Sequence, residues 1–223
     1  MVTDKLPSIK SLSVDWFGGE PLVGRKSLFE LSDKLIALCA SGDVDYSATI
    51  VTNGYLLDEE TCETLRRVKV RHAQVSLDGP PHIHDRMRPL RNGGPTFSRI
   101  LENLHHAVGK FDVTIRINAD RLNIAAAEDL LRILRDEGFA GKLSVYIGQL
   151  TGINDGVPAP STQYGSRCMS RQEFSVEELK FSALTAKYGF GRPGLPRAKG
   201  APCTAVRVHD LVIGSEGELY KVL

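Results

Sequence analysis

The chain has 223 residues, enough for one packed domain with a small appendage. Lys and Arg total 28 against 27 Asp and Glu, a formal net charge of +1 that gives no field for steering nucleic acid or an anionic membrane, so neither partner is expected. No apolar run reaches transmembrane length and the opening MVTDKLPSIK has no signal-peptide core, so a cytoplasmic protein is expected.

In chain order, residues 11–16 (SLSVDW) read as a short strand, followed by a turn at Gly18-Gly19. Residues 25–40 place Leu28, Leu31, Leu35 and Leu38 at helical spacing. Residues 46–52 (YSATIVT), rich in β-branched side chains, read as the second strand. Asp58 can cap a helix over 59–67, and residues 73–77 (AQVSL) form a third strand. A long loop is expected over 78–94, where DGPP and NGG are breaker signals. Thr96 starts a helix to about 108, residues 113–118 (VTIRIN) are the fourth strand, and 124–137 is a helix closed by Gly138. Residues 143–147 (LSVYI) are the fifth strand. Strand starts near 12, 46, 73, 113 and 143 recur every 27 to 40 residues, the spacing of βα units with parallel strands. The fold class is therefore α/β, either a partial β/α barrel or an open sheet; periodicity does not choose between them.

Past residue 150 the alternation stops. A polar loop over 151–172 leads to a helix over 175–188, with Ser175 capping and Glu178 completing a capping box. Residues 189–202 are a Gly/Pro-rich linker, and 205–213 and 218–223 read as two strands joined at 214–217. The expected organisation is a core over 1–150, a helix and linker over 151–202, and a small terminal piece over 203–223. Gly189 to Gly194 matches G-x-G-x-x-G, but Pro193 and Pro196 prevent the helix that a dinucleotide site needs. The histidines lack zinc-site spacing. Cys39, Cys62, Cys168 and Cys203 form no C-x-x-C pair, and no disulfide framework is expected; Cys39 and Cys62 fall in helical stretches as buried thiols.

In parallel β/α structures ligands bind at the C-terminal ends of the strands. After the first strand, Trp16-Phe17-Gly18-Gly19-Glu20-Pro21 removes two Cβ atoms, and Pro21 keeps Glu20 out of helical geometry. With its carboxylate facing outward, this segment suits a ligand ammonium; a tight turn is the alternative. Thr52-Asn53-Gly54 follows the second strand and reads equally as a plain turn. Ser76 and Asp78 end the third strand on one side, and Arg86 and Arg88 either return to hold a carboxylate or lie in a solvated loop. The fourth strand carries Arg116 and Asn118 at i, i+2, unusual for a buried parallel strand.

Four ordered segments, WFGGEP, TNGYLL, VSLDGPPHIHDRMRP and RINAD, give the chain a specific resemblance over about residues 10–150. It resembles radical SAM enzymes of the SPASM group, which include anaerobic sulfatase maturases and peptide maturases. The resemblance implies a partial parallel (β/α) barrel with S-adenosylmethionine and a [4Fe–4S] cluster as cofactors. It implies that Gly18, Gly19 and Glu20 bind the cofactor's amino group, and that Ser76 and Arg88 contact its ribose and carboxylate. Thr52, Asn53, Asp78 and Asn118 would complete the set, and the end of strand five from Ile147 to Leu150 would flank the adenine. In that family the cluster lets the cofactor yield a 5′-deoxyadenosyl radical. The C-x-x-x-C-x-x-C segment that holds it precedes G-G-E-P, whereas only seventeen residues precede Gly18 here and none is cysteine. The first βα unit is thus expected to be missing and no catalytic cluster is expected in this chain. The tail resembles the start of a SPASM hairpin, with Cys203 as an auxiliary-cluster ligand and Val222 where a second cysteine belongs. The implied function is part of an enzyme that modifies a peptide or protein side chain, inactive as given; the alternative is a cluster-less peptide-binding or scaffold protein. A leading strand without its neighbour is a bare edge, so dimerisation through residues 11–16 is expected.

Overall fold

The computed structural model describes residues 2–150, 153–154, 157–158, 167–191, 210–214 and 216–220. They fall into two compact units, Met1–Pro193 and Gly194–Leu223.

In the first unit a short helix α1 (Val2–Lys5) precedes five strands: β1 (Ser11–Trp16), β2 (Asp45–Thr52), β3 (Val70–Ser76), β4 (Asp112–Ala119) and β5 (Ser144–Gln149). All are parallel, and their order in the sheet is their order in sequence. Right-handed crossovers that always step the same way put every helix on the same face. The helices concerned are α2 (Arg25–Ser41), α3 (Glu59–Arg67), α5 (Phe97–Ala107) and α6 (Ala127–Asp136). Burial follows this arrangement with a period of two. Ala48, Ile50, Ala73, Val75, Ile115 and Ile117 are buried beneath the helices. Thr49, Gln74, Thr114, Arg116 and Tyr146 alternate with them on the other face. This one-sided winding is that of a partial β/α barrel, and it settles the choice that periodicity left open. The uncovered face is a hydrogen-bonded polar lining: Thr49 Oγ1 donates to Asp15 Oδ1 (2.6 Å) and Tyr146 OH to Gln74 Oε1 (2.7 Å), while His72, Thr114 and Ser144 link β3, β4 and β5.

Several local expectations are corrected. In α2, Leu31 is 46% exposed and Ser32 takes the inward position. The expected loop over 78–94 contains a helix, α4 (Pro81–Met87), with Pro81 in its first turn, where a missing N–H costs nothing. Thr96 sits at the N-cap of α5, yet its side chain does not cap; Asp85 Oδ1, reaching from α4, accepts from Thr96 N and Phe97 N at 2.8 Å each. A 3-10 turn, Ile124–Ala126, opens α6, and Gly138 closes it at φ 78°. Helix α7 (Arg171–Lys187) starts earlier than expected. Its capping box is Ser170 with Glu173, not Ser175 with Glu178, because S-x-x-E occurs twice and the earlier copy adds a full turn. Ser175 instead donates to the Arg171 carbonyl within the helix (2.9 Å). α7 packs on β5 and α6. Strands β6 (Ile153–Asn154) and β7 (Val157–Pro158) pair antiparallel within the expected polar loop.

In the second unit β8 (Val212–Ile213) and β9 (Leu219–Tyr220) form an antiparallel hairpin, where two strands were expected. Cys203 and Val222 lie outside the described residues.

Candidate functional site

The C-terminal ends of the strands build two polar groups at one edge of the sheet. The first joins β1 and β2. Glu20 is extended (φ −133°, ψ 106°), as the following proline requires. Its carboxylate does not face outward as expected. Oε1 accepts from Leu22 N (3.1 Å) and Thr52 Oγ1 (2.6 Å), and Oε2 accepts from Asn53 N (2.6 Å). The reason is that these backbone N–H groups lie beyond the ladder and need an acceptor. Thr52 and Asn53 are likewise committed locally: Thr52 Oγ1 accepts from Gly54 N (3.1 Å) and Asn53 Oδ1 from Tyr55 N (2.9 Å). Beside this knot Gly18 and Gly19 are exposed, and a Cβ on either would meet nothing within 4 Å. Gly18 needs glycine for its φ of 140°, whereas nothing in the fold requires it at Gly19.

The second group centres on Asp78, whose side chain is 2% exposed and pairs with Arg88 through Nε. Asp78 Oδ1 accepts from Asn118 N (2.8 Å) and Asn118 Nδ2 (2.9 Å). Asn123 Nδ2 donates to the carbonyls of Asp78 and Asn118, each at 2.9 Å. Arg88 and Asn118, expected to reach a ligand, are therefore turned onto Asp78 and clamp β4 to the end of β3. Among the described residues only Nε of Arg88 is used, and its side chain stays 39% exposed. Ser76 is half-buried on the uncovered face, opposite Arg116 in the ladder. Ile147 is corrected: it is 4% exposed in the helix-side core, because β5 pairs it with Ile117. Gly148, paired with Asn118, shares the polar face instead, and Leu150 follows half-buried, its N–H on the Ala119 carbonyl (3.2 Å).

Sequence reasoning missed Asn123 and His84. For Asn123 a signal existed: with Asp120 it forms a reciprocal turn, Asp120 N donating to Asn123 Oδ1 (2.8 Å) and Asn123 N to Asp120 Oδ1 (3.0 Å). His84 is fully buried, accepts from Asp78 N at Nδ1 (3.1 Å), and packs edge-on to Phe97. Burial pulls its pKa from 6.5 down to about 4, opposed by the charge of Asp78. Folded His84 thus refuses a proton that the unfolded chain accepts. The contribution of His84 to stability is expected to be constant above pH 6.5, to fall by about 1.4 kcal/mol per pH unit as pH drops from 6.5 towards 4, and to be constant below that. Urea melts at about pH 7 and about pH 5 check this; equal midpoints contradict it.

Cys39 and Cys62 are core thiols, with burial pushing Cys62 up to about 12. Among the described residues no three His, Cys, Asp or Glu side chains converge as a metal site. The described residues therefore bring together no thiolate set for an iron–sulfur cluster.

A profile of the Radical SAM superfamily matches residues 4–134, more than half of the chain. The chain belongs to the radical SAM superfamily. It is similar to a serine-type anaerobic sulfatase-maturating enzyme of Bacteroides thetaiotaomicron, 33% identical over 90 residues, which are 40% of this chain and 21% of that protein. It is also similar to an Fe-coproporphyrin III synthase of Methanosarcina barkeri, 29% identical over 135 residues, 60% of this chain and 31% of that one. Among solved structures, native anSMEcpe with bound AdoMet and Kp18Cys peptide superposes with a TM-score of 0.65 at 20% identity, covering 86% of this chain and 52% of that chain. This likeness carries the fold of a radical SAM barrel. The chain thus spans about half of that neighbour and a smaller share of the curated relatives. No helix among the described residues is long and apolar enough to cross a membrane.

Proposed function

We propose that this radical SAM chain is the S-adenosylmethionine-binding portion of an enzyme that modifies a peptide or protein side chain, and that by itself it does not cleave the cofactor. The observation that carries the reading is the bare Gly18-Gly19 backbone, open to approach, held by the Glu20 knot at the same edge of the sheet as Ser76 and the Asp78 clamp. A peptide substrate is supported by the similarity to sulfatase-maturating enzymes and by the peptide bound in the anSMEcpe structure. This chain's residues would hold the ligand: Gly18 and Gly19 against its amino group, Ser76 and the exposed part of Arg88 beside its ribose and carboxylate, and Leu150 beside its adenine.

Ligand-observed NMR with S-adenosylmethionine tests the binding. Gly19→Ala is expected to leave stability within about 0.5 kcal/mol, since its Cβ meets nothing in the fold, yet to weaken the ligand about tenfold by standing where backbone and ligand approach. No binding by the unaltered chain, or equal binding by both, overturns the reading. Deoxyadenosine release after anaerobic iron–sulfide reconstitution would overturn the inactivity.

The outer edge of β1 has no ladder partner among the described residues. Open edges pair with other strands, so a second copy is expected to dock there. Light scattering should give a dimer mass, and a monomer at about 100 μM contradicts it.

A further inference from the structure

Arg116 stands on the uncovered face of the sheet, level with Ser76 on β3 and Tyr146 on β5. Around it the polar side chains satisfy one another, and Tyr146 reaches across β4 to Gln74. Arg116 does not join them. Among the described residues its guanidinium has no hydrogen-bond or ion-pair partner, and its Nε is shielded from solvent. A shielded, uncompensated guanidinium N–H is costly, and such groups persist where something outside the fold repays them. Room for the group has been made on the next strand. A Cβ at Gly148 would lie 2.7 Å from Arg116 Nε, 3.1 Å from Nη2 and 3.2 Å from Cζ. Arg88, at these same strand ends, gives its Nε to Asp78 and keeps its side chain 39% exposed.

A planar fork with parallel donors matches a carboxylate in two-point geometry. We propose that Arg116, seated over Gly148, is a carboxylate-binding residue of this site. Two sources share that chemistry, the methionyl carboxylate of S-adenosylmethionine and a carboxylate on the substrate. The inference deepens the function proposed above and rests on it for what binds at these strand ends.

The test is the Nε–H resonance of Arg116 in the full 223-residue chain, assigned by its loss in Arg116→Lys. Four probes are titrated: S-adenosylmethionine, decarboxylated S-adenosylmethionine (the same sulfonium nucleoside and amino group without the carboxylate), acetyl-Gly-Glu-Gly-amide and its Gln counterpart. A saturable shift with S-adenosylmethionine but not its decarboxylated form assigns the cofactor carboxylate. A shift with the Glu peptide but not the Gln peptide assigns a substrate carboxylate. Arg116→Gln is expected to weaken whichever ligand shifts the resonance by about tenfold or more. Gly148→Ala, which pushes aside only the flexible end of Arg116, is expected to do the same with an unchanged melt, and it serves if Arg116→Gln does not fold. An unmoved resonance, or equal shifts with the partners that lack the carboxylate, overturns the inference. If the amides of Gly18 and Ser76 still respond to decarboxylated S-adenosylmethionine, only the Arg116 assignment fails. If they respond to neither nucleoside, the reading of the site itself fails.

Discussion

Asp78→Asn is expected to destabilise the chain by about 3 kcal/mol. Asp78 is buried and takes three hydrogen bonds at its carboxylate, from Arg88 Nε and from both nitrogens of Asn118. Asparagine can still offer one oxygen to Asn118. Its amide nitrogen must then face Arg88, donor against donor, and the ion pair is gone. Removing one member of a buried pair ordinarily costs about 3–5 kcal/mol; the partial exposure of Arg88 places the expectation at the lower end. The clamp also sets where β4 ends relative to β3, so the loss should reach the site. Amide exchange at Asn118 is expected to rise along with the fall in urea midpoint. A midpoint shift worth less than about 1 kcal/mol would show that Asp78 is not the hub.

Glu20→Ala is expected to cost about 2 kcal/mol and to release the diglycine turn. Two backbone N–H groups and the Thr52 hydroxyl lose their common acceptor. Glu20→Gln should cost less: it keeps one oxygen for Leu22 and Thr52 while turning an N–H towards Asn53. The local signature is hydrogen exchange of the Asn53 amide, expected to be protected in the unaltered chain and at least about tenfold faster in Glu20→Ala. If Asn53 exchanges equally in both, Glu20 is not the lock between β1 and β2. Together the two variants separate the halves of the site, since Glu20 acts on β1 and β2 and Asp78 on β3 and β4.

Much of the fold was legible along the chain because it is local. Alternating burial in β2 and β4, the Asp58 cap of α3 and the Gly138 stop of α6 each depend on residues within a few positions of one another. The motif segments were legible for the same reason, since each lies at the end of one strand. Where two local signals competed, as with Ser170-x-x-Glu173 and Ser175-x-x-Glu178, the earlier box is the one formed, which gives the helix an added turn. The spacing of the strands fixed that they are parallel.

Tertiary structure decided which groups are spent and which remain available. Glu20 meets Thr52 at a separation of 32 residues and Asp78 meets Asn118 at 40, and no periodicity reports such a meeting. Side chains that look free in a loop become structural once an unpaired N–H from another strand arrives beside them. Register did the rest. A shift of β5 by one residue exchanges its faces, so pairing Ile117 with Ile147 and Asn118 with Gly148 sent Ile147 into the core and opened the space that Arg116 occupies. The residue pattern determined the strands and the diglycine tip; the pairing of the strands determined what lies between them, because hydrogen-bond partners are set by the ladder and not by the order of the chain.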